Sequence, residues 1–179
     1  MSDEKRKQEA QKNVTEYLRE GLLKKEHNDL AKEKYQENAQ LSLRVAQELS
    51  HSEIKPHLWI IVTSYYAMFY SANAVLLHLG YKTQDKIAHK VTNDALIVFV
   101  EKKLTKTLLD DYERIQEDAL AIAGTRAESI IETYAQELHK RSLFQYNMLE
   151  ETKANKAETS LQRAIEFVFE MNRLLKERL

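Results

Sequence analysis

Apolar residues recur every three or four positions along almost the whole chain, which is the period of an α-helix. The pattern predicts a series of helices joined by short polar connectors, with no internal repeat and no low-complexity tract. The predicted helices cover approximately residues 3–25, 29–49, 56–79, 88–102, 108–122, 125–151 and 155–175. The sequence therefore predicts an all-α fold.

Local signals mark where several of these helices begin and end. Asn28 is a residue type that caps helix N-termini, and Pro56 suits the first turn of a helix. Gly80 is a natural terminator, and residues 81–86 are predicted to form a polar loop. We expect Gly124 to end another helix, because glycine weakens a helix interior.

Two later helices are predicted to begin at capping signals. Thr125-Arg-Ala-Glu128 has the spacing of a capping box, in which the hydroxyl and the carboxylate each accept from an early backbone N–H. Asn155-Lys-Ala-Glu158 repeats a similar signal. The first of these helices is expected to continue to about Glu151.

The apolar stripes predict which side chains form the core. Over residues 29–49 the predicted inner face consists of Leu30, Tyr35, Ala39, Leu41, Val45, Ala46 and Leu49. In the last helix it includes Leu161, Ala164, Ile165, Val168, Phe169 and Leu174. The apolar third helix is predicted to place Tyr65, Tyr66, Met68 and Phe69 in the core rather than at a surface where bases stack.

The N-terminal segment differs from the rest of the chain because it is dense in charge and has only a sparse apolar stripe. We therefore predict a charged helical extension over residues 1–28 and a helical bundle over residues 29–179. The extension is interpreted as a solvated helix, a frayed tail or a docking arm.

One segment is apolar enough to be compared with a membrane-spanning helix. Residues 58–81 contain no Asp, Glu, Lys or Arg and are long enough to cross a bilayer. They also carry several hydroxyl groups, Asn73 and His78. A helix that is apolar nearly all round is buried somewhere, so we predict the central helix of a bundle and no membrane partner.

Composition excludes several classes of function. The formal net charge is -1, so any contact with nucleic acid must be a local patch rather than a general coating. The chain has no cysteine, which removes disulfides, thiolate metal sites and cysteine nucleophiles. No metal site or cofactor is predicted, since the one Glu-x-x-His spacing, at Glu48 and His51, is best explained as chance. The absence of a signal-peptide pattern predicts a cytoplasmic protein.

Three segments resemble a known family. They are the run from Ser64 to Tyr81 that contains Tyr-Tyr-Ala-Met-Phe and is followed by His89, the run Arg141-Ser-Leu-Phe-Gln-Tyr146, and Ala164-Ile-Glu-Phe-Val168. Together they resemble the small prokaryotic HEPN (higher eukaryotes and prokaryotes nucleotide-binding) proteins. The likeness covers residues 31–175 and implies an up-and-down helical bundle of HEPN type that forms a homodimer.

The resemblance also implies a site. In the ribonuclease relatives an arginine is followed four to six residues later by a histidine, and the two act together across a dimer without metal. Arg141 fits, and its guanidinium would hold a phosphate. Tyr146 occupies the histidine position and is a poor general base, because a free phenol has a pKa near about 10. Lys140 adds positive charge, and His89 matches a family histidine without an assigned role.

Helical geometry constrains this pair. At about 100° per residue, Arg141 and Tyr146 point roughly 140° apart on one helix, so a single helix does not aim both at one small ligand. Two opposed copies in a dimer could. His139 lies seven residues before Tyr146 on the same face and is a substitute proton carrier or an exposed histidine.

Two functions follow as hypotheses. The first is binding of RNA or a nucleotide at a dimer cleft, as in a metal-independent ribonuclease toxin of a toxin–antitoxin system. In this hypothesis Arg141 and Tyr146 are the catalytic residues. Lys140 and His89 add further contacts to the ligand. The second is a catalytically inactive HEPN module that partners a nucleotidyltransferase, the antitoxin type found beside such toxins.

Overall fold

A computed structural model describes residues 3–84, 87–136 and 150–177. The described chain is mostly helical, as predicted, with a single small sheet. The elements are α1 (Asp3–Glu20), β1 (Leu23–Lys25), α2 (Asp29–His51), α3 (His57–His78), β2 (Tyr81–Thr83), α4 (Ala88–Phe99), a 3-10 turn (Glu101–Lys103), α5 (Lys106–Gln136) and α6 (Glu150–Leu174).

Helices α2 and α3 are antiparallel neighbours, and α3 runs in the same direction as α6. The N–H of Glu26, just before α2, donates to the carbonyl of Gly80, just after α3, at 3.0 Å. The short connector between α2 and α3 places their other ends together. At the C-terminal end of α3, the His78 ring lies 3.2 Å from the carbonyl oxygen of Glu177.

Helices α5 and α6 are antiparallel, because two ion pairs join them in opposite order. Arg163 pairs with Asp111, and Lys156 pairs with Asp118 at 2.7 Å. The four helices α2, α3, α5 and α6 therefore alternate in direction, and the predicted bundle of HEPN type stays a prediction.

Helix α3 lies at the centre of the bundle. Its side chains Tyr65, Met68 and Phe69 are buried, which confirms the predicted core role, whereas Tyr66 is partly exposed. The buried Asn73 is also satisfied, since its amide donates to the Phe69 carbonyl and its oxygen accepts from Thr83. Hydrogen bonds thus make the burial of Asn73 compatible with the protein interior, whereas the buried Ser64 hydroxyl has no hydrogen-bond partner among the described residues.

Helix α3 is also, within the described ranges, the one helix long and apolar enough to cross a membrane. Inside the bundle 78% of its most apolar window is buried. This agrees with the predicted central helix and accounts for its hydrophobicity by packing. The predicted cytoplasmic location stays a prediction.

Two of the local start and stop signals act as predicted. Asn28 caps α2, and its side-chain oxygen accepts from the N–H of Ala31 at 2.9 Å. Gly80 follows α3 with a φ of +84°, a backbone conformation that glycine adopts without strain. Pro56 stands immediately before α3 rather than inside its first turn.

The prediction that the structure is helical throughout is wrong at one place. The strands β1 and β2 pair antiparallel, with Leu23 opposite Thr83 and Lys25 opposite Tyr81, where a helix end and a polar loop were predicted. Gly21, with a φ of +72°, ends α1 before these residues, and the buried Leu23 anchors the strand. Three-residue strands carry too few side chains to show a period of two.

Two predicted helix boundaries are also wrong. Helix α5 continues through Gly124 and Thr125 to Gln136. A single internal glycine costs only about 1 kcal/mol relative to alanine, which a long helical pattern on both sides offsets. Helix α6 begins at Glu150, before the capping signal at Asn155.

Three apolar residues predicted to face inward are exposed. Leu30 and Leu41 in α2 have 79% and 59% of their surface accessible, and Phe169 in α6 has 68%. In α6 the buried aromatic residue is Phe167 instead. The neighbouring helices decide which face of each helix is buried. Where the stripe of apolar residues is wider than the contact with those neighbours, the sequence does not show which of the apolar residues are buried.

The N-terminal helix α1 is part of the bundle, so the frayed-tail interpretation is wrong for residues 3–20. Its apolar face, formed by Ala10, Val14 and Tyr17, is buried. The Tyr17 hydroxyl donates to Asp94 of α4 at 2.9 Å. Because this face covers the chain's own core, it is not free to dock elsewhere. The predicted domain boundary at residue 28 stays a prediction.

Candidate functional site

Most of the predicted site lies outside the described residues. Arg141, Tyr146, Lys140 and His139 all fall in residues 137–149, between α5 and α6. Their predicted roles stay predictions. His89 is the one predicted site residue that the structure describes.

His89 lies in the first turn of α4 and packs against the aromatic side chains of α3. Its ring centroid is 4.7 Å from that of Phe69 and 5.5 Å from that of Tyr65. Its Nδ1 atom is 2.6 Å from the Tyr65 hydroxyl oxygen. His89 therefore has a packing role at the α3–α4 contact, and no structural observation joins it to the predicted arginine site.

The hydrogen bonds around Tyr65 join α3, α4 and α5 through His89. The Gln116 side-chain amide donates to the Tyr65 hydroxyl oxygen at 3.1 Å and to the His89 carbonyl at 3.0 Å. The Tyr65 hydroxyl and Nδ1 of His89 share one further hydrogen bond, in which the donor depends on the tautomer of the imidazole. Burial also lowers the pKa of His89 below its ordinary value.

We predict that His89 makes the protein less stable in mild acid. The folded pKa of His89 lies below the ordinary 6.5, so the unfolded chain binds the proton more tightly. The stabilisation is complete above 6.5 and is lost as the pH falls through the folded pKa. In His89→Asn, the side-chain amide can donate to or accept from the Tyr65 hydroxyl but does not titrate.

The measurement is urea denaturation of both proteins between about pH 7.5 and pH 5. We expect the wild type to be more stable than the variant by about 1 kcal/mol at the higher pH, because the ring packs better. That advantage should shrink as the pH falls. A constant difference over this range would show that protonation of His89 is not linked to folding.

A groove between α5 and α6 brings basic side chains together. This α5–α6 groove encloses about 390 Å³ and is lined by Arg114, Ile115, Asp118, Asn155, Lys156, Thr159, Ser160 and Arg163. Lys156 and Arg163 are seven residues apart and so share one face of α6. Arg114 reaches the groove from α5. Sequence reasoning missed these three basic residues because they come from two helices far apart in the chain.

The three basic side chains differ in their partners. Lys156 pairs with Asp118, and Arg163 pairs with Asp111. Arg114 is exposed and has no ion pair within residues 3–84, 87–136 and 150–177. Counting Asp111, the groove has three positive and two negative groups, which leaves a small positive excess. Such an arrangement can bind an anion but offers no proton carrier of its own.

No cluster of three or more His, Asp or Glu side chains able to hold a metal ion occurs among the described residues. Two polar networks lie around α3: Tyr65 and Gln116 with the half-buried His89, and the buried Asn73 with Thr83 and Thr92. Burial raises the pKa of Tyr65, so its phenol is neutral and serves as a structural hydrogen-bonding group.

Comparison of the chain with protein-family models, with curated proteins and with solved structures gave no match.

Proposed function

We propose that this protein binds RNA or a nucleotide through the α5–α6 groove together with Arg141, Lys140 and Tyr146. The observation that carries the proposal is the grouping of Arg114, Lys156 and Arg163 around one groove. Residues 137–149 join the two helices that form it, and Lys156 is only six residues after Glu150, where α6 begins. The resemblance to HEPN proteins supports the same region from the sequence.

The chemistry of the groove favours a phosphate ligand. Arg114 presents a planar guanidinium that can donate two parallel hydrogen bonds to a phosphate. Lys156 is about half exposed and pairs with Asp118, and such pairs stabilise a protein by only about 0–1 kcal/mol. A phosphate oxygen can therefore replace the carboxylate as its partner. A volume near 390 Å³ is in the range of small-ligand sites.

RNA cleavage is a further part of the proposal, and we expect it to be slow. Arg141 would stabilise charge on the phosphate, and a general base would take the proton of the attacking 2′-hydroxyl. Tyr146 occupies the position where a histidine would do this, and an ordinary phenol is protonated at neutral pH. We therefore expect binding with slow cleavage, without metal, in a homodimer that acts as a toxin beside a nucleotidyltransferase antitoxin.

Binding is tested by fluorescence anisotropy with a labelled single-stranded RNA of about 12 nucleotides and with a labelled nucleotide. Arg114→Ala and Arg141→Ala should each weaken binding roughly fivefold to tenfold and reduce the salt dependence by about one phosphate contact. The matched control is Arg44→Ala, an exposed arginine on α2. Absence of binding by the wild type, or equal losses in all three variants, would contradict the proposal.

Cleavage is tested separately in a chelating buffer with a panel of small RNAs. Arg141→Ala should abolish any cleavage that the wild type shows, and Tyr146→His should increase it, because an imidazole titrates near neutral pH. Cleavage that persists in Arg141→Ala would remove this residue from the mechanism while leaving binding to be judged on its own data.

The second hypothesis, a catalytically inactive HEPN module that partners a nucleotidyltransferase, also stays a proposal. The observation that favours an interaction role is the exposed apolar side chain of Phe169 on α6. If RNA binding fails and a nucleotidyltransferase encoded beside this chain binds it in a direct assay, this second function is the one to adopt.

A further inference from the structure

Arg114 is an exposed arginine on a helix that is rich in carboxylates. Four acidic residues of α5 lie three or four positions from it, which is the spacing at which side chains of one helix can pair. They are Asp110, Asp111, Glu117 and Asp118. Arg114 has no ion pair within the described ranges, although these carboxylates are close to it in the helix. The contacts of the carboxylates themselves explain why.

Helix α6 holds the two carboxylates on one side of Arg114. At about 100° per residue, Asp111 and Asp118 lie about 60° and about 40° from Arg114, both in the same direction around α5. Arg163 pairs with Asp111, and Lys156 pairs with Asp118 at 2.7 Å. Both carboxylates therefore already have a cationic partner from another helix.

Helix α1 holds the carboxylates on the other side. Asp110 lies about 40° from Arg114 in the opposite direction, and Glu113 lies beyond it. The guanidinium of Arg6 contacts both, with Nη1 2.8 Å from Asp110 and Nη2 2.8 Å from Glu113. The Arg6 side chain is only 20% exposed, so salt screens this double contact less than it screens a surface ion pair. Arg6 thus occupies Asp110 from outside α5.

The order of the residues along α5 identifies Asp110 and Asp111 as the stronger competitors for Arg114. In a helix, an acidic residue pairs better with a basic residue that follows it than with one that precedes it. Glu117 is exposed and follows Arg114, which is the less favourable order. Asp110 and Asp111 precede Arg114, and these are the two carboxylates that the arginines of α1 and α6 engage.

We propose that Arg6 is a positioning residue for the α5–α6 groove: by engaging Asp110, it keeps the guanidinium of Arg114 free to bind a phosphate. The inference rests on the proposed function, because it concerns the same groove. No described residue of α1 lines that groove, so Arg6 acts through Asp110 and not by touching the ligand. Without Arg6, Asp110 turns to Arg114, occupies its hydrogen-bond donors and adds a negative charge beside the ligand.

The first test compares binding of the labelled single-stranded RNA by the wild type and by Arg6→Gln, which removes the charge. We expect the affinity to fall about twofold to fourfold, because Arg114 then forms an ion pair within its helix and one carboxylate near the phosphate loses its counter-charge. The matched control is Lys7→Gln, which removes the same charge from the next position of α1. Lys7 pairs with Glu101, which lies before α5, at 3.2 Å, so this variant should bind like the wild type.

Two double variants show whether Arg6 acts through Asp110 and Arg114. Asp110→Asn removes the competing carboxylate, so its combination with Arg6→Gln should recover the wild-type affinity. In the Arg114→Ala background, Arg6→Gln should have no further effect, because the side chain that Asp110 would occupy is absent. A loss of affinity through misfolding or through long-range charge would persist in that background.

The same data distinguish a failure of this inference from a failure of the proposed function. Wild-type binding that Arg114→Ala weakens and Arg6→Gln leaves unchanged would overturn the inference alone. An equal loss in Lys7→Gln, or a loss in Arg6→Gln that Asp110→Asn does not relieve or that persists in the Arg114→Ala background, would also overturn it. Absence of RNA binding by the wild type, or no effect of Arg114→Ala, would contradict both. Circular dichroism confirms that each variant is folded.

Discussion

Replacing Phe167 with alanine is expected to lower the free energy of unfolding by about 3–5 kcal/mol. The Phe167 ring is fully buried in α6 and stacks on Tyr112 of α5, with centroids 5.2 Å apart. Removing it leaves a cavity between the two helices, which the surrounding side chains fill only partly. The measurement is urea denaturation at submicromolar concentration, where self-association contributes least.

The control is two positions away on the same helix. Phe169→Ala removes a ring that is mostly in solvent, so it should change the free energy of unfolding by about 0.5 kcal/mol or less. The sequence pattern had predicted Phe169 to face inward, so this pair of variants distinguishes the two orientations of α6. Similar losses in both variants, or a larger loss for Phe169→Ala, would contradict the structure described above.

Replacing Tyr17 with alanine is expected to lower the free energy of unfolding by about 3 kcal/mol. Tyr17 is buried where α1 packs on α4. Its hydroxyl donates to the Asp94 carboxylate at 2.9 Å, and the side-chain amide of Asn13 donates to the same carboxylate at 3.1 Å. The alanine variant loses the apolar contact and leaves a mostly buried carboxylate with one donor fewer. Burial already raises the pKa of Asp94, so this carboxylate is costly to leave unpaired.

Two further variants divide the effect of Tyr17. Tyr17→Phe keeps the ring and removes the hydroxyl. We expect the free energy of unfolding to fall by about 1–3 kcal/mol, because the Asp94 carboxylate then lacks this hydrogen-bond donor. Leu18→Ala, at the next position on the exposed side of α1, should have little effect. Denaturation that is insensitive to Tyr17→Ala would show that α1 detaches from the bundle without cost, as a frayed tail would.

Local sequence signals predicted much of the helical framework, because they act within a few residues. The Asn28 cap needs only the N–H of Ala31, three positions later, and the predicted start of α2 is correct. The buried position of α3 follows from its apolar composition all round, which no solvent-exposed helix tolerates. These features depend on residues that are neighbours in the chain.

Features that depend on distant residues were not predictable in the same way. The pairing of Leu23 with Thr83 joins segments on either side of two long helices. The choice between Phe167 and Phe169 depends on where α6 lies against α5 and α3. Gly124 is a helix breaker in isolation, yet it lies inside α5, where the surrounding helix outweighs its preference.

The candidate site also combines features that neighbouring residues determine with features that depend on residues far apart in the chain. The sequence drew attention to Arg141 and Tyr146 through a resemblance, and both fall outside the described residues. The structure instead brings Arg114 to Lys156 and Arg163 across two helices. Only His89 can be compared directly, and there the contact with Tyr65 shows a packing role.

The most direct test of the proposed function is to map where RNA contacts the protein. A single-stranded RNA carrying a photoreactive uridine is crosslinked to the full chain, and the modified peptides are identified by mass spectrometry. We expect crosslinks to concentrate in residues 137–163 and around Arg114, and to fall when unlabelled RNA competes. Crosslinks confined to α1, α2 or the surface around the exposed Phe169, or none above the level of a non-binding control protein, would contradict RNA binding at the α5–α6 groove.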